Sequence, residues 1–149
     1  MKKVFLAAGM AAAVALGAGS AEAADAARGK QLMQQKCFTC HYFEPGGPGK
    51  VKKTGPYLFG VYGRTIGTWD SFKYSPGYVA LGQKGMTWTD ANIGEYIADP
   101  KPFIQKNTGD PKARSNMSFR LKVPNENAEQ AAQRKTDTDD IIAFLKTLK

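Results

Sequence analysis

Cys37, Cys40 and His41, the two cysteines and one histidine of a 149-residue chain, fall within five positions of one another in the stretch QQKCFTCHYFEP. Three chemistries use thiols and an imidazole so close together. Zinc takes about four nitrogen or sulfur ligands, so a carboxylate would have to complete the set here. A thioredoxin-like redox pair places its CxxC after a strand in a βαβ pattern, whereas the residues before Cys37 read as a helix. Covalent haem attachment uses every residue of CxxCH: both thiols add across the vinyl groups of the porphyrin edge, and the histidine falls beneath the iron. Spacing and order favour haem over a bare disulfide or a metal site.

With His41 on one axial position, the sequence offers no second histidine for the other. The sixth position falls to a methionine, a lysine, an amine, water or nothing. Met33 lies four residues before Cys37 on the same helical pattern and reads as core. Met86 precedes Trp88 at the mouth of a helix, where an apolar residue ordinarily packs. Met117 lies in the basic stretch KARSNMSFRLK, which has neither helical nor strand periodicity. An apolar sulfur there has little structural purpose, so pattern alone prefers Met117 and leaves Met86 open.

These residues must be positioned by few regular elements. Asp25 caps an expected helix from about Ala26 to Lys36, with Gly29, Leu32 and Met33 on one face. Thr87 or Thr89 caps a second, carrying Ile93, Tyr96 and Ile97 and stopped by Pro100. Thr138 caps the last, where Ile141, Phe144, Leu145 and Leu148 recur at helical spacing. Gly29 inside a helix costs up to about 1 kcal/mol against alanine, which points to close approach by another helix, the last being the natural partner. No strand pattern of comparable strength is present. Sixteen glycines and eight prolines, concentrated from Pro45 to Gly85, make the middle of the chain mostly turns and loops. A large apolar cofactor would complete the core of such a stretch.

Composition sets the outer limits. With 42% apolar and 23% charged residues the chain reads as one globular domain. Lys2 and Lys3, the apolar run Val4 to Leu16 and the small residues ending in Ala21-Glu22-Ala23 read as a secretory signal peptide, residues 1–23, cleaved before Ala24. The apolar run, about 13 residues, is shorter than the roughly 20 that span a bilayer. The expected mature domain is 24–149, periplasmic, a monomer, with its formal charge reduced from +8 to +7 by loss of Lys2, Lys3 and Glu22. Scattered charges without a motif argue against a nucleic-acid partner.

Beyond CxxCH, the blocks KTGPYLFGVYGRTIGT, FKYSP, MTWTDANIGEYIADPKPFI, GDPKARSNMSFRLK and DDIIAFLKTLK follow in an order that resembles class I cytochrome c, the bacterial cytochrome c2 group above all. The resemblance implies an all-α fold wrapped around one haem c, with Cys37 and Cys40 as the covalent attachment and His41 and Met117 as axial iron ligands. It implies that the Pro56 carbonyl accepts a hydrogen bond from His41, that Arg64, Tyr74, Ser75 and Trp88 surround the propionates, and that Tyr96 lies near the methionine sulfur. It places Gly29 with Ile141, and Met33 with Phe144, where the first and last helices cross. Two departures stand out. Tyr57 occupies a position where the family often has asparagine, and the polar segment 123–138 is longer than usual and reads as an exposed loop or short extra helix.

The implied function is one-electron transfer, not catalysis, from a cytochrome bc complex to a photosynthetic reaction centre or terminal oxidase. Lys36, Lys50, Lys52, Lys53, Lys112 and Lys122 lie near the attachment motif and the methionine loop in sequence, and would form a ring facing acidic partners. Lys146 and Lys149 would matter less. An open sixth position would instead suit a peroxidase-like enzyme or a gas sensor.

Overall fold

The computed structural model describes residues 23–47 and 53–149; the expected leader up to Glu22, with Lys50 and Lys52, lies outside these. Five helices follow in order: α1 (Ala26–Lys36), α2 (Pro76–Gln83), α3 (Asp90–Ala98), α4 (Pro100–Thr108) and α5 (Ala128–Thr147). Among the described residues the extended backbone forms only an isolated antiparallel bridge between Thr65 and Thr87, and the fold is all-α as expected.

Two helices start where their capping residues indicate. The Asp25 carboxylate accepts from the backbone N–H groups of Ala27 and Arg28 at 2.8 and 3.2 Å. Thr89, rather than Thr87, begins α3, its N–H donating to the Asn92 side chain at 2.7 Å.

The start of the last helix requires correction. Asn127 and Gln130 satisfy each other's backbone N–H groups at 2.8 and 3.0 Å, so α5 begins at Ala128, and much of the polar segment 123–138 is its first half. That half faces solvent and carries no apolar stripe, so periodicity did not reveal it. Thr138 is no cap: it is buried within the helix, its hydroxyl without a protein partner among the described residues. Pro100 does end α3, but it also opens α4, where a missing N–H costs nothing in the first turn. α2, opened in the same way by Pro76 after Ser75, was hidden in the glycine-rich middle.

α1 and α5 make the most extensive helix pair. A Cβ on Gly29 would stand 2.0 Å from the Asp140 carbonyl oxygen and 3.0 Å from the Phe144 Cβ, so only glycine permits this crossing. Arg28 of α1 is ion-paired to Asp137 and Asp140 of α5, and the buried Asp140 also accepts the Asp25 N–H at 2.7 Å. Met33, Phe43, Ile141, Phe144 and Leu145 fill one core cluster around this crossing. A second cluster, Ile66, Tyr78, Leu81, Phe103 and Ile104, joins α2 to α4. Trp88 packs against both.

Glycine to alanine in an unobstructed helix would stabilise by about 1 kcal/mol. At position 29 the sign should reverse: Gly29→Ala is expected to destabilise by about 1–3 kcal/mol or more through overpacking, read from the midpoint of denaturant unfolding.

Candidate functional site

α1 hands its last turn directly to the CxxCH motif. The Cys37 N–H donates to the Met33 carbonyl at 2.8 Å, and the N–H groups of Cys40 and His41 both donate to the Cys37 carbonyl, at 3.0 and 2.9 Å. This tight turn lays the His41 ring on Gly55, where a Cβ would lie 2.4 Å from the nearest ring carbon. The His41 Nδ1 is 2.8 Å from the Pro56 carbonyl oxygen. A carbonyl only accepts, so Nδ1 carries the proton and Nε2 is the bare nitrogen, free to bind a metal. Burial holds the imidazole below its ordinary pKa, with nearby Lys53 adding to the effect and the Pro56 bond opposing it.

His41 lies in the wall of a cavity whose empty space, open mouth included, is about 930 Å³. Its lining is largely apolar and draws on both core clusters, including Met33, Val61, Ile93 and Leu145 from the first and Tyr78 from the second. Cys37, Pro56, Arg64, Tyr74, Ser75, Trp88, Tyr96 and Met117 line the same cavity. Residues up to 112 positions apart in the chain are therefore gathered at one place, from Met33 to Leu145. Cys40 stands apart: it is exposed and outside the lining. Burial pushes the Cys37 thiol up to about 11. Met86 packs on the second cluster, away from the cavity.

Met117 is held from two sides. The Tyr96 hydroxyl donates to its sulfur at 3.2 Å, and the Met117 N–H donates to the Ser115 hydroxyl at 3.1 Å. The Tyr78 hydroxyl ties these together, lying 2.6 Å from that of Tyr96 and 2.7 Å from that of Ser115. Burial raises the Tyr96 phenol well above its ordinary range, so it stays a donor at neutral pH. Sequence reading passed over Tyr78 and Ser115. Tyr78 shows only as an apolar position of a short helix, and Ser115 had for a signal only its place two residues before Met117.

Arg64 and Trp88 are brought to the wall by antiparallel pairing: Trp88 N–H to Arg64 carbonyl at 3.0 Å and Gly63 N–H to Trp88 carbonyl at 2.8 Å. The Arg64 guanidinium donates to the carbonyls of Tyr57 and Phe59 at 2.8 and 3.3 Å and lies over the Trp69 ring. Among the described residues no carboxylate pairs with it, and burial lowers its pKa. A half-buried cation of this kind suits an anionic group of a ligand. Ser75, expected at the propionates, donates its hydroxyl to the Arg114 carbonyl at 3.2 Å and so fastens the methionine loop to α2.

The lysines expected as a docking ring do not form one uniform set. Lys36 and Lys112 are exposed. Lys53 is fastened to the attachment loop, its ammonium 2.5 Å from the Phe38 carbonyl and 4.0 Å above the Phe38 ring. Lys122 lines a separate groove with Glu95, Asp99 and Arg134. Lys146 is paired to Asp90 at 2.7 Å.

The cytochrome c family model matches residues 26–149. The chain belongs to the cytochrome c family. It is 45% identical to cytochrome c2 of Rhodospirillum rubrum over the full length of both chains, and 43% identical to cytochrome c-550 of Novispirillum itersonii over 84% of this chain and 99% of that one. The crystal structure of cytochrome c2 from Rhodobacter sphaeroides superimposes with a TM-score of 0.69 at 35% identity, covering 84% of this chain and 96% of that one. The resemblance read from the motifs and the class I fold expectation are both borne out. The protein is an electron carrier and not an enzyme, and its cofactor is one covalently attached haem c. The cavity fits that group: an apolar enclosure holds a thiol, an imidazole with a bare Nε2, a hydrogen-bonded thioether sulfur and a half-buried guanidinium. No described helix is long and apolar enough to cross a membrane.

Removing the Tyr78 hydroxyl strands both of its partners in a buried place. Tyr78→Phe should cost about 1–3 kcal/mol of stability. It should also speed hydrogen exchange at the Met117 N–H, measured by NMR, while leaving exchange in α1 unchanged.

Proposed function

We propose that the mature chain, residues 24–149, is a periplasmic one-electron carrier, exported by the signal peptide of residues 1–23. Cys37 and Cys40 would hold the haem covalently, and His41 Nε2 and the Met117 sulfur would be its axial ligands. When bound, the haem supplies an iron that exchanges one electron. The observation that carries this reading is that His41 and Met117 line the same apolar cavity, each fastened by a hydrogen bond to the atom beside or on its donor: Nδ1 to Pro56, sulfur to Tyr96.

The roles of the chain's own residues follow. Pro56 orients the imidazole and strengthens it as a donor. Thioether ligation and a water-poor pocket favour the ferrous state and raise the potential. Arg64, Tyr74, Ser75 and Trp88 would face the propionates, with the half-buried Arg64 as the principal countercharge. With both the His41 and the Met117 donors on the iron, no position would be left for a substrate, which favours transfer over the open-iron alternative of a peroxidase-like enzyme or sensor. Ligands that stay in place keep reorganisation small.

As the family resemblance implies, the donor is a cytochrome bc complex and the acceptor a photosynthetic reaction centre or terminal oxidase. A net positive carrier meets an acidic partner faster by long-range steering and leaves readily when little apolar surface is buried. The ring of Lys36, Lys50, Lys52, Lys53, Lys112 and Lys122 would supply that steering. The exposed Arg114 and Arg120, which flank Met117, extend the same positive field.

Two measurements test these assignments. Met117→Ala should abolish the near-infrared sulfur-to-iron band of the oxidised protein and lower its potential, while Met86→Ala keeps both; the reverse pattern overturns the ligand assignment. The second-order rate of electron transfer to an acidic partner should fall as salt rises to physiological strength, where the Debye length is about 8 Å. Charge reversal at Lys36 or Lys112 should slow it at low salt and flatten that dependence, whereas reversal at Lys146 changes little.

A further inference from the structure

The peptide that joins Pro56 to Tyr57 contains the carbonyl that accepts from His41, and a peptide is planar. Whatever fixes Tyr57 therefore fixes the direction in which that carbonyl points. Two segments run side by side here. The Gly55 N–H donates to the Cys40 carbonyl at 2.8 Å, and the Leu58 N–H to the Tyr42 carbonyl at 2.9 Å, so His41 and Pro56 face each other between two main-chain bonds. The Tyr57 side chain adds a third tie. Its hydroxyl donates to the Glu44 carbonyl at 2.7 Å and accepts the Gly47 N–H at 3.1 Å. Those partners belong to the turn that follows CxxCH, where Gly46 and Gly47 both have positive φ, 90° and 79°. The ring itself is 7% exposed. It stacks on Tyr42 and Phe59, each at 6.0 Å between centroids, and meets the edge of Trp69 at 5.2 Å.

On the proposed reading of His41 as an iron ligand, we propose that the Tyr57 hydroxyl is the positioning group that holds the Pro56 carbonyl against His41 and so sets the donor strength of the imidazole. The side chain spans from the peptide beside His41 to the turn beyond it. Arg64 is gripped by the main-chain carbonyl of Tyr57 and lies over Trp69, and Tyr57→Phe keeps both that carbonyl and the ring against Trp69, so the loss of the hydroxyl reads the imidazole.

The sign follows from the chemistry. An imidazole whose N–H is firmly bonded is the stronger donor and favours ferric iron. A looser Pro56 carbonyl weakens that donation and favours ferrous iron.

The experiment compares haem-loaded wild type with Tyr57→Phe, which removes the hydroxyl and keeps the ring, and with Tyr57→Leu, which removes both. In the reduced Tyr57→Phe protein the His41 Nδ1–H should exchange with solvent about fivefold faster, the opening expected from loss of one ordinary hydrogen bond. The reduction potential should rise, and the near-infrared band of the Met117 sulfur should persist. Tyr57→Leu should move exchange and potential further the same way. Faster exchange at Gly47 alone, with His41 exchange and potential at wild-type values, would show that the hydroxyl fastens only the turn and overturn the proposal. A fall in potential would overturn it equally. A wild-type protein whose histidine resonances show no iron ligation would instead bring down the site reading itself, before any variant is compared.

Discussion

Where Gly29 lets the backbone of α1 rest on the Asp140 carbonyl of α5, these two helices are locked at a fixed separation and angle. The attachment side of the candidate haem site is referred to that crossing. α1 ends one residue before Cys37, so the crossing determines where the attachment turn begins. Met33, Ile141 and Leu145 line the cavity from the same pair of helices. The ion pairs of Arg28 with Asp137 and Asp140 secure the outer side of the contact. Because Asp140 is buried and also accepts the Asp25 N–H, loss of Arg28 would leave a carboxylate partly unpaired in the interior, a costly arrangement.

The two proposed iron ligands are restrained by different means suited to their segments. His41 follows a helix directly and is clamped within a ladder of main-chain bonds against Gly55 and Pro56. Met117 lies in a loop without regular structure, so side chains do the holding: Tyr96 at the sulfur, Ser115 at the N–H, Tyr78 between them, and Ser75 at Arg114. Both arrangements resist displacement of the donor atom. A redox centre benefits from that, since electron transfer is slowed by whatever must rearrange when the charge changes. The restraint and the apolar lining are thus two aspects of one requirement, a site that changes charge without changing shape.

Much of this was legible in the chain because the chemistry concerned is local. CxxCH is five adjacent residues, Asp25 caps N–H groups two and three positions on, and the Thr89 N–H is capped by Asn92 three positions on. Gly29 announced a close contact because glycine in a helix has a cost that only such a contact offsets. The first half of α5 was missed for the converse reason: exposed on most sides, it carries no apolar rhythm, and its start rests on a reciprocal Asn127–Gln130 cap. α4 was missed because Pro100, which ends one helix, equally well begins another.

The sequence by itself thus determined the attachment chemistry, the all-α class and the pairing of the first and last helices, since motif, capping and helical period act over a few residues. Only the tertiary structure decided that Tyr78 joins Tyr96 to Ser115, that Arg64 stands among main-chain carbonyls with no carboxylate partner among the described residues, and that Tyr57 bridges the peptide beside His41 to the Glu44–Gly47 turn. The contacts of Tyr57 and Tyr78 depend on distances between segments 10 to 37 positions apart. No local spacing encodes such distances; they are set by how the helices and the loops between them pack around the cavity.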